Sequence, residues 1–346
     1  MDYCNRVDIA EYMFNQDLCY IEKHDNAEVA KSKRIFLLKS YLEFSCKNGL
    51  MELTSILFQE INNGQESFQQ LTFDGKFLKT TCRFKHFDVF KYLLEDDKAR
   101  DEAAEFLKDF PLHYACENGS LEMFQYLIEV KPTDTEVKDE KGRSPLHYAC
   151  YKGSIEIVKY LIEKQNAIIN TTDSKGRTPL HLACHAGSIE IAKYLIEKQN
   201  AIINTTDSKG RSVLHSACQS RCFELVKYIS QKTQHDVNAQ DEDGSTALHL
   251  ACKGGNNKVV KFLISVMNAD LHSVDKDGRT PLHVHCQSFV PEVPILKFLV
   301  NQGANVFAKD KCGKSPLQIA KSKLEGIGWK TEKIDLITFL KAATKR

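Results

Sequence analysis

Residues 178–211 read TPLHLACHAGSIEIAKYLIEKQNAIINTTDSKGR, and this stretch decides the fold. Asp173-Ser174-Lys175-Gly176, just ahead of it, is a turn signal with a Gly able to take positive φ. Thr178-Pro179 starts a helix, with a hydroxyl at the N-cap and Pro at the first helical position. Leu180, Ala183 and Cys184 give that short helix one apolar face, and Gly187 suits the left-handed residue that ends it. Ser188 begins a second helix with Glu190 in its first turn, where a carboxylate favours the helix dipole. Ile189, Ala192, Leu195 and Ile196 fall at helical spacing and are expected to form its buried stripe. Neither helix can bury its apolar face alone, so such units must stack.

The unit recurs. His113, His147, His181, His215, His249 and His283 stand 34 residues apart, and Cys116, Cys150, Cys184, Cys218, Cys252 and Cys286 follow them at a constant offset. SIEIVKYLIEKQNAIINTTDSKGR from Ser154 and SIEIAKYLIEKQNAIINTTDSKGR from Ser188 differ only at Val158 against Ala192, the mark of a recent tandem duplication. Counting the Leu position gives units at Leu42, Leu78, Leu112, Leu146, Leu180, Leu214, Leu248, Leu282 and Leu317. VDIAEYMF at Val7 aligns with IEIVKYLI at Ile155, so the chain opens on the second helix of an incomplete unit, either a cap or the continuation of a longer product.

TPLHLAC at Thr178, SPLHYAC at Ser144 and TALHLAC at Thr246, each followed by a G-x-x-E-I-x-K-Y-L-like helix, resemble the ankyrin repeat. The usual period is about 33 residues, and the extra residue here is expected in the loop after the second helix. The resemblance implies an all-α solenoid of stacked helix-turn-helix units joined by β-turn tips. It also implies that the His ties turn to helix by hydrogen bonds and that the Cys is a small core residue. The expected layout is a half-repeat and connector at 1–38, two divergent repeats at 39–108, six regular repeats at 109–308 and a capping repeat at 309–346.

Composition limits the functions. Lys plus Arg is 47 and Asp plus Glu 46, a net charge of +1, which gives no general attraction to nucleic acid or an acidic membrane. The N-terminus lacks a signal-peptide pattern, and no apolar run approaches membrane-spanning length. The 12 cysteines read as reduced thiols, because equivalent positions in stacked units lie beyond the roughly 7 Å limit between Cα atoms of a disulfide. The expectation is a monomeric protein of the cytoplasm, with the nucleus as the alternative.

The His-x-x-Cys pairs invite a metal reading, yet zinc needs four converging ligands and stacking spreads these pairs along the array. They repeat with the fold, whereas an active site breaks it, and no phosphate-binding GxxxxGK[ST] loop is present. We expect no catalytic residue, cofactor or metal. The expected function is a protein-binding scaffold or adaptor; the alternative is the recognition segment of a larger enzyme or secreted effector whose active domain lies outside this chain.

The candidate contact residues are those that do not follow the repeat. Tyr114, Tyr148, Tyr151 and His185 lie on first helices, which the resemblance turns toward the concave face, and Tyr is enriched at interface hot spots. Arg177 and Arg211, with Lys141, Arg143, Lys175, Lys209, Lys276 and Arg279, make the turn tips basic, although Asp139, Glu140, Asp173, Asp207, Asp241 and Asp275 dilute their field. Three further departures read as local distortion. His285 replaces the small Ala, Arg221 and Phe289 stand at Gly positions, and FVPEVP adds two residues with Pro291 and Pro294. The insert carrying Trp329, with IDLITFLK after it, reads as part of the cap.

Overall fold

The computed structural model describes residues 3–25, 27–63, 75–95, 100–108, 110–130, 134–233, 236–288, 292–322 and 331–344. Phe289, Pro291 and Trp329 lie outside the described residues. The chain divides into two compact units, Met1–Asp139 and Glu140–Arg346. Among the described residues the only β-pairing is an isolated bridge between Thr206 and Ser212. No described helix is long and apolar enough to cross a membrane.

The first unit holds α1 (Tyr3–His24), α2 (Ala27–Asn48), α3 (Met51–Asn63), α4 (Lys76–Phe84), α5 (Phe87–Glu95), α6 (Arg100–Lys108), α7 (Pro111–Asn118) and α8 (Leu121–Val130). α2 runs through residue 38, so the stretch that reads as a connector is helix continuous with the Leu42 repeat. Its sequence from Ala27 to Leu38 has no Gly or Pro and many good helix formers. α6 has no counterpart in the repeat. Its buried Glu102 accepts hydrogen bonds from Phe77 N and Leu78 N at 2.7 and 3.0 Å, satisfying the first turn of α4. That turn begins at Gly75 and lacks the hydroxyl cap of the regular repeats.

The second unit stacks six helix pairs: α9 (Pro145–Lys152) with α10 (Ile155–Gln165), α11 (Pro179–Ala186) with α12 (Ile189–Lys193), and α13 (Val213–Gln219) with α14 (Phe223–Lys232). α15 (Ala247–Gly254) with α16 (Asn257–Ser265), α17 (Pro281–Gln287) with α18 (Val293–Asn301), and α19 (Pro316–Ser322) with α20 (Thr331–Ala343) complete it. First helices pack on first helices, and second on second. Leu146, Leu180, Leu214, Leu248 and Leu282 are buried with the Ala or His and the Cys that follow, while Leu317 is half-buried. In α12 and the helical turn that continues it to Lys198, the buried stripe is Ile191, Ala192 and Leu195; Ile189 and Ile196, expected inside, lie half-exposed at its margins.

In the Leu180 unit the extra residue of the 34-residue period enters the second helix itself. α12 passes into a π-helical turn at Tyr194–Lys198, and Asn200 then turns left-handed (φ 54°) so that Ala201 N reaches Leu195 O at 2.9 Å. Asn166 and Asn268 do the same for Ala167 and Ala269, Asn being the non-Gly residue that best tolerates this region.

The repeat histidines His147, His215, His249 and His283 tie neighbouring units together. Thr246 N donates to His249 Nδ1 at 3.1 Å, and the ring's far nitrogen donates to Arg279 O of the next repeat at 2.9 Å. His147 makes the same pair of bonds with Ser144 and Arg177, and His215 with Ser212 and Ala239. Nδ1 accepts, so Nε2 carries the proton, and one neutral ring caps its own helix and grips the next turn. In the last repeat Gln318 stands in the same place, its Oε1 accepting from Ser315 N at 2.8 Å.

The turn tips are built on an aspartate. Asp173 Oδ1 accepts from Lys175 N and Arg177 N, each at 2.9 Å, and Ser174 N donates across to Lys141 O of the preceding tip. Gly176 has φ 69°, and a Cβ there would stand 2.7 Å from Ser208 N of the next tip. Gly176→Ala is therefore expected to lower stability by about 1–3 kcal/mol, through left-handed strain plus the clash. Urea titration followed by circular dichroism measures it, and an unchanged midpoint would contradict the packed-tip arrangement.

Two departures from the repeat have local explanations. Arg221 does not take the left-handed conformation: α13 ends one residue early, at extended Ser220 (φ −75°), whose hydroxyl donates to Ala217 O at 2.7 Å. α17 likewise ends at extended Ser288. His285, buried where Ala is usual, places one ring nitrogen 3.1 Å from Cys252 O and the other 2.9 Å from Glu292 O, tying the inserted segment to the repeat before it.

Candidate functional site: a groove between turn tips and first helices

Within the second unit, side chains at equivalent positions form rows across successive repeats. One row on the first helices is Tyr151, His185, Gln219, Lys253 and Gln287; a row on the tips is Arg143, Arg177, Arg211, Ser245 and Arg279. Between them, from Lys209 to Ser288, lies a groove of about 880 Å³ lined by Gln219, Lys253 and Gln287 of the first row, Arg211, Ser245 and Arg279 of the second, and the side chains of Leu250 and Val284.

The candidate residues Tyr151 and His185 meet on the N-terminal part of the first-helix row, ahead of the groove. Tyr151 is 40% exposed, and its ring stacks on His185 with centroids 6.1 Å apart and planes 12° from parallel. His185 Nδ1 lies 3.0 Å from Gln219 Oε1, so three first helices are joined by a contact that sequence reading did not find. Burial lowers the His185 pKa from its usual value, and the cations Arg177 and Arg211 lower it further against the opposing bond to Gln219. Tyr148 is half-buried, with the Arg143 guanidinium 4.4 Å above its ring. Tyr114 belongs to the first unit, where it packs against Phe106 with Lys79 Nζ 5.3 Å over its face.

The arginines at the tips are held by their own turns. Arg177 Nη2 lies 2.6 Å from Asp173 Oδ2 and Arg211 Nη2 lies 2.8 Å from Asp207 Oδ2, each side chain about a quarter exposed. Burial opposes ionisation of Asp173 and Asp207, but the arginine and the backbone N–H groups outweigh it and hold both carboxyls below the usual value. The tips are thus less basic than their Lys and Arg content suggests.

The repeat cysteines are buried, and burial raises the pKa of Cys150, Cys184, Cys218, Cys252 and Cys286, to about 12 for Cys218 and Cys286, so these five are thiols rather than nucleophilic thiolates. Among the described residues no group of three His, Cys, Asp or Glu side chains is placed to hold a metal ion. The first unit has a separate apolar hollow of about 740 Å³, between Ile9 and Met13 of α1 and Tyr41 and Phe44 of α2.

Residues 78–173, 165–241 and 232–310 match a family model described as ankyrin repeats (3 copies). Among solved structures, the crystal structure of the human ASB11 ankyrin repeat domain is 25% identical with a TM-score of 0.51, covering 64% of this chain and 99% of its own. No curated protein sequence matches.

Proposed function

Because this chain belongs to the ankyrin repeat family, whose repeats are generally protein-interaction modules, we propose that it is a scaffold or adaptor binding one partner protein along the first-helix row of its second unit and the groove that continues from it. The observation that carries the reading is the Tyr151–His185–Gln219 row, which crosses three helices and does not follow the repeat. Packing demands that the Leu, Ala and Cys of each repeat recur. It makes no such demand on these outward residues, so they are where a partner is chosen.

Tyr151 and His185 serve as the anchor, with Tyr148 beside them and Arg177 and Arg211 as the polar edge. Tyr114 belongs to the first unit and gives a separate contact. The protein acts as a monomer in a reducing compartment, the cytoplasm or nucleus, which its free buried thiols suit.

The test is affinity capture with the full chain, identification of the captured protein by mass spectrometry, then titration of the purified pair. Tyr151→Ala is expected to weaken binding by about 1–2 kcal/mol, roughly 5–30-fold, with little change in the thermal midpoint. An unchanged affinity, with binding lost on charge reversal at Arg177 and Arg211, assigns the contact to the tips instead. Reversal at Arg177 also sets two carboxylates together in the Asp173 turn, so stability is measured alongside.

A further inference from the structure

Five tips of the second unit repeat the same aspartate turn, at Asp173, Asp207, Asp241, Asp275 and Asp310; three carry a bridging arginine, while the more exposed Asp310 turn has Lys314 in that position and the buried Asp241 turn has no cation there. Asp173 is bridged by Arg177 Nε and Nη2 at 2.9 and 2.6 Å, Asp207 by Arg211 at 3.0 and 2.8 Å, and Asp275 by Arg279 Nε at 2.8 Å. At Asp241 the position of the arginine is held by Ser245. Asp241 keeps the turn, its Oδ1 accepting from Asp243 N at 2.9 Å and Ser245 N at 2.8 Å, but no side chain among the described residues pairs with it. It is only 8% exposed, and it lines the groove together with Ser245.

This carboxylate has one oxygen on two backbone donors, and its other oxygen, with no cation on it, is free to take a donor from the groove that Asp241 lines. Its sisters show which group fits: a planar guanidinium entering beside the tip. Arg279 also reaches the first-helix row, its Nη1 donating to Gln287 Oε1 at 3.0 Å. We infer that the groove beside Asp241 and Ser245 receives an arginine side chain from the bound partner, an extended peptide segment whose guanidinium takes the place that Arg177, Arg211 and Arg279 fill in cis. This rests on the scaffold reading above and specifies the chemistry of its partner.

The same groove limits the peptide. Lys253 stands where Gln287 stands for Arg279, and Lys276 lies on the next tip. Neither makes an ion pair with Asp241, and both repel a run of cations, so the arginine sits among uncharged or acidic neighbours. Lysine is the poorer fit, since its point charge cannot make the forked contact seen in the sister turns.

The test uses the full chain and a displayed library of random peptides, with the affinities of selected peptides measured by fluorescence polarisation. Selected sequences should carry one arginine, and changing it to Lys or Ala should weaken binding about tenfold or more. Ser245→Arg, which rebuilds the sister turn, and Asp241→Asn, which keeps the backbone acceptor, should each remove the arginine preference. Ser245→Arg should leave the thermal midpoint equal or higher, as the three sister turns already fold with that pair. Lys253→Gln should strengthen binding by removing a competing cation.

Selected peptides with no arginine preference, bound equally by Ser245→Arg, would overturn the inference and leave the scaffold reading standing. So would weaker binding by Lys253→Gln, which would make Lys253 the contact. A library that yields no binder, together with no protein captured by the chain, would overturn both.

Discussion

Leu180→Ala is expected to lower the stability of the second unit by about 2–5 kcal/mol, the range for deleting a buried leucine from a core that collapses only partly around the gap. Leu180 is 1% exposed in α11, which packs between α9 and α13 and against α12. The gap therefore weakens the helix pair and both neighbouring interfaces together, and in a linear array interfaces carry much of the stability. The measurements are urea unfolding by circular dichroism and amide hydrogen exchange. Exchange should quicken from Ser144 to Gln219 and change least in α18. Tyr151→Ala, on the outer side of α9, provides the contrast at well under 1 kcal/mol beyond its stack with His185. A loss below about 1 kcal/mol for Leu180→Ala would show that this leucine is not the keystone its burial implies.

What could be read from the sequence is what short-range chemistry dictates. The Thr178-Pro179 start, the left-handed Gly187 and the Leu180 to Cys184 face each depend on residues within a few positions, and all are present as read. The structure departs where a partner comes from far along the chain. Glu102 caps α4 from 24 residues away, on a helix with no place in the repeat, and no local pattern announces that. Arg221 misled for a different reason: a left-handed residue is one way to end a helix, and Ser220 supplies another that needs no Gly. Tyr151 and His185 stood out as non-repeating residues, but their stack with Gln219 needed the register of three helices. Asp241 looked like its sisters until their arginines were seen bridging to the turn.

The same histidines that pin the repeats should make the protein acid-labile in a narrow window. Burial lowers the pKa of His181, His215, His249 and His283 below the usual 6.5, against opposing contributions from nearby carboxylates and carbonyl groups. In the folded chain each Nδ1 accepts the backbone N–H of Thr178, Ser212, Thr246 or Thr280, so a proton there would break the cap. The unfolded chain therefore binds protons below pH 6.5 that the folded chain refuses, and stability falls as pH falls through that value. Each histidine contributes a slope of at most about 1.4 kcal/mol per pH unit, so four give up to about 5 kcal/mol between pH 7 and 5.5, comparable with the whole stability of many domains. His285 stays outside this sum, because burial opposes its cation while two carbonyl oxygens favour it. Asp173 and Asp207, held below the usual 3.8, add a further loss of the same sign only at lower pH. Urea midpoints at pH 7.5, 6.5 and 5.5 measure the slope. His249→Gln, patterned on the cap that Gln318 makes in the last repeat, should fold at neutral pH and flatten the slope, by at most about 1.4 kcal/mol per pH unit. Midpoints that stay level from pH 7.5 to 5.5 would mean that the caps tolerate a charged ring, contrary to the acceptor role of Nδ1.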